Sequence, residues 1–458
     1  MSLRRSLRLV PAAGLWQYWR SCSTTPVWTR CLHATSPFAS PAEPSPGSVG
    51  PLAGIRVLDV GQVVAGNFCG GLLAYFGAEV IKIEPPKGDP LRSLRLLDPT
   101  GVSYWYRSYA RNKKSVTLDL KTEEGRALLK QLSENVDVVV ENFRPGVMER
   151  WGLGPQELKE SLVWARISGY GQDGPLSSRP GFASTCEGFA GLRHVNGYPD
   201  RAPVRPNLSI GDNLAGLHAA FGVVMALLHK ARWNDQRGQV VDAAITESVY
   251  NLLESCVPEY LHCGIDRQCS GSTISDVVPS GTFRTKDDKW VIIGANGDSL
   301  YDRLVEAMGK LEMSTQNPLY ASNAARVQNQ ASIDDAIVAW VGARTLDEVT
   351  AAMEKARIPC GPILSTADIC ENDQYRARGM IESVPSATTY ERGHSQAKRG
   401  ESDEESYYMP AMLPVMSRTP GKSKWAGPEL GQHTREVLKT EVGLTDTQID
   451  GLYARGII

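Results

Sequence analysis

Apolar residues recur at three- and four-residue steps in one long stretch, residues 207–233 (NLSIGDNLAGLHAAFGVVMALLHKARW). Leu214, Leu217, Phe221, Val224 and Leu228 mark the period of a helix with one buried face. The small residues Ala215, Gly216, Ala219, Ala220 and Gly222 let a second backbone lie close along it. Asp212 stands just before this run, between Gly211 and Asn213. There a carboxylate meets the unpaired N–H groups and the positive end of a helix. Taken alone, the position predicts an N-cap. The other reading is a carboxylate nucleophile at the mouth of a cleft.

Upstream the pattern changes to short apolar runs closed by glycine. Residues 55–60 (IRVLDV) predict a strand, 61–66 (GQVVAG) a turn, 67–76 a helix ended by Gly77, and 79–83 a second strand. Such a unit favours parallel strands joined by a right-handed crossover. The turn lacks the full G-x-G-x-x-G, so it points to a ligand at the carboxyl end of a sheet rather than to NAD. Further strands are expected at 115–118, 136–140, 163–168 and 239–242, with a helix capped by Thr122 and another starting at Thr246. The run VDVVV at 136–140 has the continuous apolar character of a strand buried on both faces. Glycine, asparagine and aromatic residues recur where these strands end, as in 141–146 (ENFRPG) and Gly169-Tyr170-Gly171. That recurrence predicts a shared ligand cleft.

After Cys269 the style shifts. Residues 282–285 and 290–293 flank KDDK and predict an antiparallel hairpin. Helices follow at 299–308, 333–341 and 346–355, the last with the capping box Thr345/Glu348. Residues 358–362 (IPCGP) break the chain and are expected to return it to the first sheet. A helix at 433–438 and a closing helix capped by Thr445, with Gln448 in the box and Gly456 as the stop, complete the pattern. The fold class is therefore α/β. A parallel Rossmann-like sheet domain is built from N-terminal and C-terminal segments and joined by a smaller α+β domain. The division is 52–245 for the first part of the large domain, 246–268 for a linker helix, 269–357 for the small domain and 358–458 for the return and closing part.

Composition adds little to the fold but separates the N-terminus. Residues 1–41 contain no Asp or Glu but carry Arg4, Arg5, Arg8, Arg20 and Arg30, the make-up of a mitochondrial transit peptide. The segment assigned to it is 1–40, followed by a Pro/Ser/Gly linker at 41–51. Over 458 residues the net charge is −2, which gives no reason to expect a nucleic acid or an anionic membrane as partner. No apolar run reaches the roughly 20 residues of a membrane span. Nine cysteines without a C-x-x-C pair fit a reducing compartment better than a disulfide framework or a zinc site.

The chemistry-bearing residues are scattered. The seven histidines form no metal-ligand spacing, and neither a G-x-S-x-G elbow nor a G-x-x-x-x-G-K-[ST] loop occurs. Cys186 has no basic partner nearby and reads as a buried thiol. Lys82, Lys87, Arg111, Lys113, Lys114, Lys121, Arg144 and Arg150 lie near strand ends. Singly each reads as a solvated surface residue. Together they suit a phosphate-bearing ligand whose adenine rests on Phe143 or Tyr170.

A set of long, collinear motifs then resembles the class III CoA-transferases from about residue 52 to residue 438. They are PLAGIRVLDV, GAEVIKIEPPKGDPLR, NKKSVTLDLKTEEG, VVVENFRPGVMERWGL, ISGYGQDGP, RPGF, GDNLAG, PCGPILSTADI and PELGQHTREVL. The resemblance implies that GDNLAG carries the nucleophilic aspartate, Asp212. It implies CoA contacts at Val64 and Ala65 after the first strand, Pro85 after IKIE, Leu118 and Lys121 in LDLK, and Asn142, Phe143 and Arg150 in VVENF and MERWG. Gly169, Tyr170 and Phe182 follow from ISGYGQDGP and RPGF. Two positions depart from the family pattern: Ala183 stands where an acid is usual, and Glu187 where a Gln is usual. Residues 270–273 take the place of a glycine-rich loop that covers the site in relatives.

No His adjoins Gly211-Asp212-Asn213, which favours CoA transfer over racemisation. The resemblance further implies catalysis through aspartyl anhydride and aspartyl-CoA intermediates, and helix-end and loop N–H groups near Gly211–Asn213 are expected on the oxyanions. The helix dipole is expected to keep Asp212 ionised at neutral pH. CoA arrives as the acyl-CoA substrate, with no permanently bound cofactor and no metal. The expected substrates are succinyl-CoA and a free dicarboxylic acid, glutarate, in an interlocked homodimer of the mitochondrial matrix. Transfer to another acid, acyl-CoA racemisation and a catalytically idle CoA-binding scaffold stay open. So does the cation for the acid's distal carboxylate, whether Arg107, Arg111 or another.

Overall fold

Six short strands, most of them buried on both faces, form the centre of the protein: β1 (Arg56–Asp59), β2 (Glu79–Glu84), β3 (Lys113–Thr117), β4 (Val138–Glu141), β5 (Val163–Ser168) and β6 (Val240–Ala244). The structure is a computed structural model and describes residues 50–393 and 406–458. The transit segment expected at 1–40 and nearly all of the linker at 41–51 lie outside the described residues. The strands pair in the order β3-β2-β1-β4-β5-β6, every pairing parallel. The order reverses between β1 and β4, where open α/β sheets leave a crevice at their carboxyl ends. The α/β expectation and its Rossmann-like sheet are therefore met.

Helices cover both faces: α1 (Ala65–Tyr75), α2 (Tyr104–Tyr109), α3 (Glu123–Ser133), α4 (Val147–Arg150), α5 (Ala183–Phe189), α6 (Leu192–Val195), α7 (Ile210–Trp233) and α8 (Ile245–Tyr250). One face buries Val57, Val80, Val138, Val140, Ala165 and Ile167 under α1 and α7. The other buries Leu58, Ile81, Ile83, Val116, Val139 and Trp164 under α3 and the C-terminal helices. Thr122 caps α3 by accepting the Gly125 N–H at 3.0 Å. The turn from β1 into α1 is tight because a Cβ on Gly61 would fall 2.7 Å from the Gly66 Cα. Only glycine fits on either side of that approach.

The long helix α7 overturns two expectations. Its buried face is the row of small residues: Gly211, Ala215, Gly216, Ala219, Ala220, Gly222, Val223 and Ala226. Leu217, Phe221, Val224 and Leu228, expected to point inward, are exposed, and Leu214 is half-buried. The physical reason is interaxial distance. A Cβ on Gly216 would sit 2.7 Å from the Ala65 carbonyl oxygen, so α7 crosses α1 too closely for a large residue to stand between. The second correction concerns length: at 24 residues, α7 is long and apolar enough to cross a membrane. Here it packs along α1, β5 and β6 instead.

The rest of the chain forms two smaller sheets. β7 (Ser280–Arg284) and β8 (Trp290–Gly294) make the expected hairpin, and β9 (Cys360–Pro362) adds antiparallel to β8. Residues 358–362 thus complete the small sheet before the chain leaves it, contrary to the expectation of an immediate return. Pro362 is tolerated because β9 is an edge strand. The helices Asp298–Met308, Gln330–Gly342 and Leu346–Lys355 pack on this sheet, and the Thr345/Glu348 capping box is present. β10 (Ile381–Pro385) and β11 (Ser406–Pro410) pair as a two-stranded ribbon. The C-terminal segment then binds the β3 edge: Asn112 N–H donates to Trp425 O at 3.0 Å and Asp119 N–H to Ile457 O at 2.7 Å.

Candidate active site

The crevice between β1 and β4 is closed at its floor by side chain on backbone. Asn142 Oδ1 accepts the Gln62 N–H at 2.7 Å and Asn142 Nδ2 donates to Gln62 O at 2.7 Å. The next residue, Val63, has φ 60°, a left-handed conformation that a β-branched residue adopts only under constraint. The constraint is visible. Asp89 Oδ1 accepts the Val63 N–H at 3.0 Å, and Asn67 Nδ2 bridges Val63 O and Asp89 Oδ2 at 2.8 Å each. Beneath lie two fully buried lysines: Lys82 is bound to Gly61 O and 3.1 Å from Asp89, and Lys113 is 2.7 Å from Asp59. Charges this deep are held only because each has an opposite partner.

The residues implied for CoA surround this floor along the carboxyl ends of the strands. Val64 and Ala65 are buried at the start of α1 and offer backbone rather than side chain. Pro85, half-buried, follows β2; Leu118, buried, follows β3 and donates its N–H to Glu84 O at 2.7 Å. Lys121 is exposed one turn further on. After β4 come Asn142, then Phe143 with its ring edge-to-face on Trp151 at 5.2 Å, then exposed Arg150 closing α4. Gly169 and Tyr170 follow β5. The Gly169 carbonyl accepts the Thr246 N–H at 3.2 Å, and Tyr170 lies edge-to-face on Phe189 at 5.3 Å. Phe182 precedes α5 and is exposed.

The eight cations near strand ends divide into two groups. Lys82, Lys113 and Arg111 are buried and engaged internally, and Lys114 is paired with Glu79 and Glu436. Their roles are structural, which corrects their reading as ligand contacts. Lys87, Lys121, Arg144 and Arg150 are exposed and form no ion pair among the described residues. They flank β2, β3 and β4, where a phosphate chain lying in the crevice would pass. Arg107 is likewise committed, with Asp98 at 2.8 Å, Glu429 at 2.6 Å and the Gly427 carbonyl at 2.7 Å. Arg111 holds Ser108, Pro410 O and Ser423. Neither is open to a substrate carboxylate.

Asp212 lies inside the helix that was expected to follow it. α7 begins at Ile210 with Ser209 as N-cap, and Asp212 is the third helical residue, with no hydrogen bond to its side chain among the described residues. The N-cap reading is therefore wrong. The Gly211 N–H is taken by Glu187 Oε1 at 3.1 Å and the Asn213 N–H by Ser209 O at 3.1 Å. Among the described residues, the first-turn N–H groups without a hydrogen-bond acceptor are those of Ile210 and Asp212, which narrows the oxyanion donors expected near Gly211–Asn213. Asn213 is fixed through its side chain, whose Oδ1 accepts from the Tyr109 hydroxyl at 2.9 Å. Burial, then the nearby Glu187 carboxylate, push the Asp212 carboxyl up to about 7, against a smaller opposite pull from Arg205. At that value the carboxyl is only partly ionised at neutral pH, so burial and Glu187 work against the ionisation expected from the helix dipole.

Sequence reasoning missed two residues here. Glu187 was noted only as a departure from a pattern, yet it is fully buried against the first turn of α7. Arg205, on the loop before α7, is exposed and unpaired among the described residues while acting electrostatically on Asp212. Arg205 carries no periodic or motif signal of its own, and Glu187 only its departure from the family pattern. Cys186 is a buried thiol, as expected, and burial pushes it up to about 11. Residues 270–273 dock on the segment after α6, with the Gly271 N–H donating to Gly197 O at 2.8 Å.

An ionisable carboxylate, unpaired among the described residues, at a helix start beside a Rossmann-type crevice has the parts for covalent acyl chemistry, and the chain as a whole is similar to known proteins. Residues 52–434 match CoA-transferase family III. The succinyl-CoA–D-citramalate CoA-transferase of Chloroflexus aurantiacus is 42% identical over 412 residues, 89% of this chain and 98% of that protein. The mouse succinyl-CoA:glutarate CoA-transferase is 31% identical over 419 residues, 90% of this chain and 91% of that one. Among solved structures, a CAIB/BAIF family protein from Brucella suis superposes with a TM-score of 0.73 at 27% identity, over 86% of this chain and 100% of that one. The family acts on CoA thioesters, so CoA enters as a substrate. The chain belongs to CoA-transferase family III and is a CoA-transferase.

Proposed function

We propose that the protein moves CoA from succinyl-CoA to a short free dicarboxylic acid, with Asp212 as the covalent carrier. The observation that carries this reading is the half-buried Asp212 carboxylate in the first turn of α7, which among the described residues has no partner and lies beside two backbone N–H groups without an acceptor. Glutarate is the acceptor first assigned. Malate and citramalate join it because relatives named for those acids are as similar or more so. All three carry a second carboxylate that needs a cation, and Arg205 is exposed and unpaired near Asp212.

The chemistry balances without any further reagent. An Asp212 oxygen attacks the succinyl thioester carbonyl. The C–S bond breaks, and CoA leaves as thiolate from a mixed anhydride. The thiolate attacks the aspartyl carbonyl of that anhydride, succinate departs with the electron pair of the broken C–O bond, and an aspartyl-CoA thioester remains. The acceptor carboxylate attacks this thioester and releases thiolate. The thiolate then attacks the acceptor's acyl carbon, giving the new acyl-CoA and the free Asp212 carboxylate. Covalent catalysis of this kind divides one difficult exchange into easier steps. The Ile210 and Asp212 N–H groups are the donors assigned here to the oxyanions. Proton transfer is not needed, which sets transfer apart from racemisation.

The test is a mixture of enzyme, succinyl-CoA and each acid, followed by mass spectrometry of the CoA pool. A new acyl-CoA in step with succinate release supports the reading. Release of free CoA alone, or inversion of a chiral acyl-CoA without exchange, sinks it.

Two further assignments go with this function. The exposed apolar row Leu217, Phe221, Val224, Met225, Leu228 and Trp233 on α7 suits a second copy of the chain, in line with the interlocked homodimer expected for the family. Sedimentation at a single-chain mass would end that assignment. The arginine-rich, acid-free residues 1–40 suit import into the mitochondrial matrix. A fluorescent fusion of residues 1–50 that stays in the cytosol would end that one.

A further inference from the structure

α5 places a second carboxylate directly under the candidate nucleophile's turn. Glu187 is fully buried, and its two oxygens have different partners: Oε1 accepts the Gly211 N–H at 3.1 Å, and Oε2 faces Arg193 Nη2 at 3.2 Å. Arg193 is in turn steadied by Ser184 Oγ at 2.8 Å. Gly211 is closely packed, since a Cβ there would meet Ile245 Cγ2 at 2.9 Å and Glu187 Cγ at 3.3 Å. The first turn of α7 is thus clamped between α5 and α8, with a fixed anion one residue from Asp212.

We propose that Glu187 is a positioning residue for CoA transfer: its buried carboxylate fixes the first turn of α7 and sets a like charge beside the free Asp212 carboxylate, a repulsion removed once Asp212 is acylated. This rests on Asp212 being the nucleophile. Two like charges held near one another in a desolvated place disfavour the state in which both are ionised. Acylation turns the Asp212 side chain into a neutral anhydride or thioester, so the repulsion ends at that step. A more basic carboxylate is also the better nucleophile toward a thioester, provided it is ionised at working pH. The upward push on Asp212 from burial and Glu187 agrees with this arrangement.

The other charged groups about α7 are accounted for. Arg205 on the preceding loop pulls Asp212 the opposite way. α5 also brings the Cys186 thiol, and α2 brings Tyr109, whose hydroxyl is spent on Asn213. Asp242 of β6 and Glu247 of α8 form a separate acidic group with Asp173. Arg166 of β5 is engaged by Glu141 and Glu149, and Cys69 of α1 lies by Asp59 and Lys113. Glu187 is therefore the anion that acts on Asp212, and Arg193 is the cation that moderates Glu187.

The experiment compares pH profiles of kcat/KM for succinyl-CoA in wild type, Glu187→Gln and Arg193→Gln, alongside mass analysis of the Asp212 peptide. Glutamine keeps an oxygen for the Gly211 N–H and removes the charge. Glu187→Gln should shift the acidic limb down by about one pH unit and slow acylation several-fold at about pH 8. Arg193→Gln should shift the limb upward, because the repulsion is then less offset. A purely structural role predicts no opposed shifts. Limbs that stay put, or move together, while the Asp212 adduct still forms, overturn the proposal and leave the nucleophile in place. Absence of the adduct in the wild type is a different failure, that of the nucleophile itself. Should Glu187→Gln not fold, the direction of the Arg193→Gln shift decides.

Discussion

Asn142 and Gln62 exchange two hydrogen bonds of 2.7 Å across the line where the strand order reverses, joining the loop after β4 to the turn after β1. Both loops are implied CoA contacts, so one side chain sets the width of the crevice. Asn142→Ala breaks both bonds and also releases the strained Val63 beside them. Steady-state kinetics should show KM for acyl-CoA rising about tenfold, with kcat falling less, because mainly ground-state binding is lost. An unchanged KM would mean that acyl-CoA does not lie across this pair.

Lys121 and Arg150 are exposed, unpaired among the described residues and set four residues beyond β3 (Lys113–Thr117) and at the end of α4. Replacing either by Gln should raise KM for acyl-CoA several-fold, more at low salt, and leave KM for the free acid alone. If the acid's KM moves instead, the cations serve the acceptor.

Arg205 makes the reverse forecast. Its guanidinium is exposed, unpaired among the described residues and electrostatically linked to Asp212, which suits the distal carboxylate of a dicarboxylate. Arg205→Gln should lower kcat/KM for glutarate, malate or citramalate by about tenfold, the worth of one charge-assisted hydrogen bond, and spare a monocarboxylate acceptor. An equal loss on both kinds of acid would refute the assignment.

Much of this architecture is legible in the chain itself, for local reasons. The parallel strands read as apolar runs because they are buried on both faces, and Thr122, Thr345 and Thr445 announce helices because a cap needs only a few neighbouring residues. What stays hidden depends on distant partners. Periodicity marks two stripes on α7, one of large residues and one of small; the 2.7 Å approach to Ala65 decides which is buried. β9 forms only because β8 offers it an edge. Glu187 reads as an ordinary acid of a short helix until Gly211 is seen against it. The GDNLAG resemblance singles out Asp212, yet its place inside the helix depends on where α7 begins.

A carboxyl raised in the folded state favours the protonated form, so its contribution to stability is full at low pH and lost as pH rises through the folded value. For Asp212 the window runs from the unfolded carboxylate range up to about 7. Asp212→Asn removes that penalty. Denaturant unfolding should find the variant more stable than wild type by about 2 kcal/mol near pH 8, and nearly equal to it near pH 4, allowing for relaxation around the site. A variant less stable at both pH values would restore a structural role for the carboxylate.

The central claim is that Asp212 becomes covalently acylated. Wild-type enzyme and Asp212→Asn are each incubated with succinyl-CoA alone, quenched with hydroxylamine and digested, and the peptide holding residue 212 is weighed. The account predicts a hydroxamate at Asp212 in the wild type, none in the Asn variant, and an Asn variant that folds and binds acyl-CoA yet has lost transfer by several orders of magnitude. An unmodified wild-type peptide, together with an Asn variant that keeps most of its transferase activity, would contradict it.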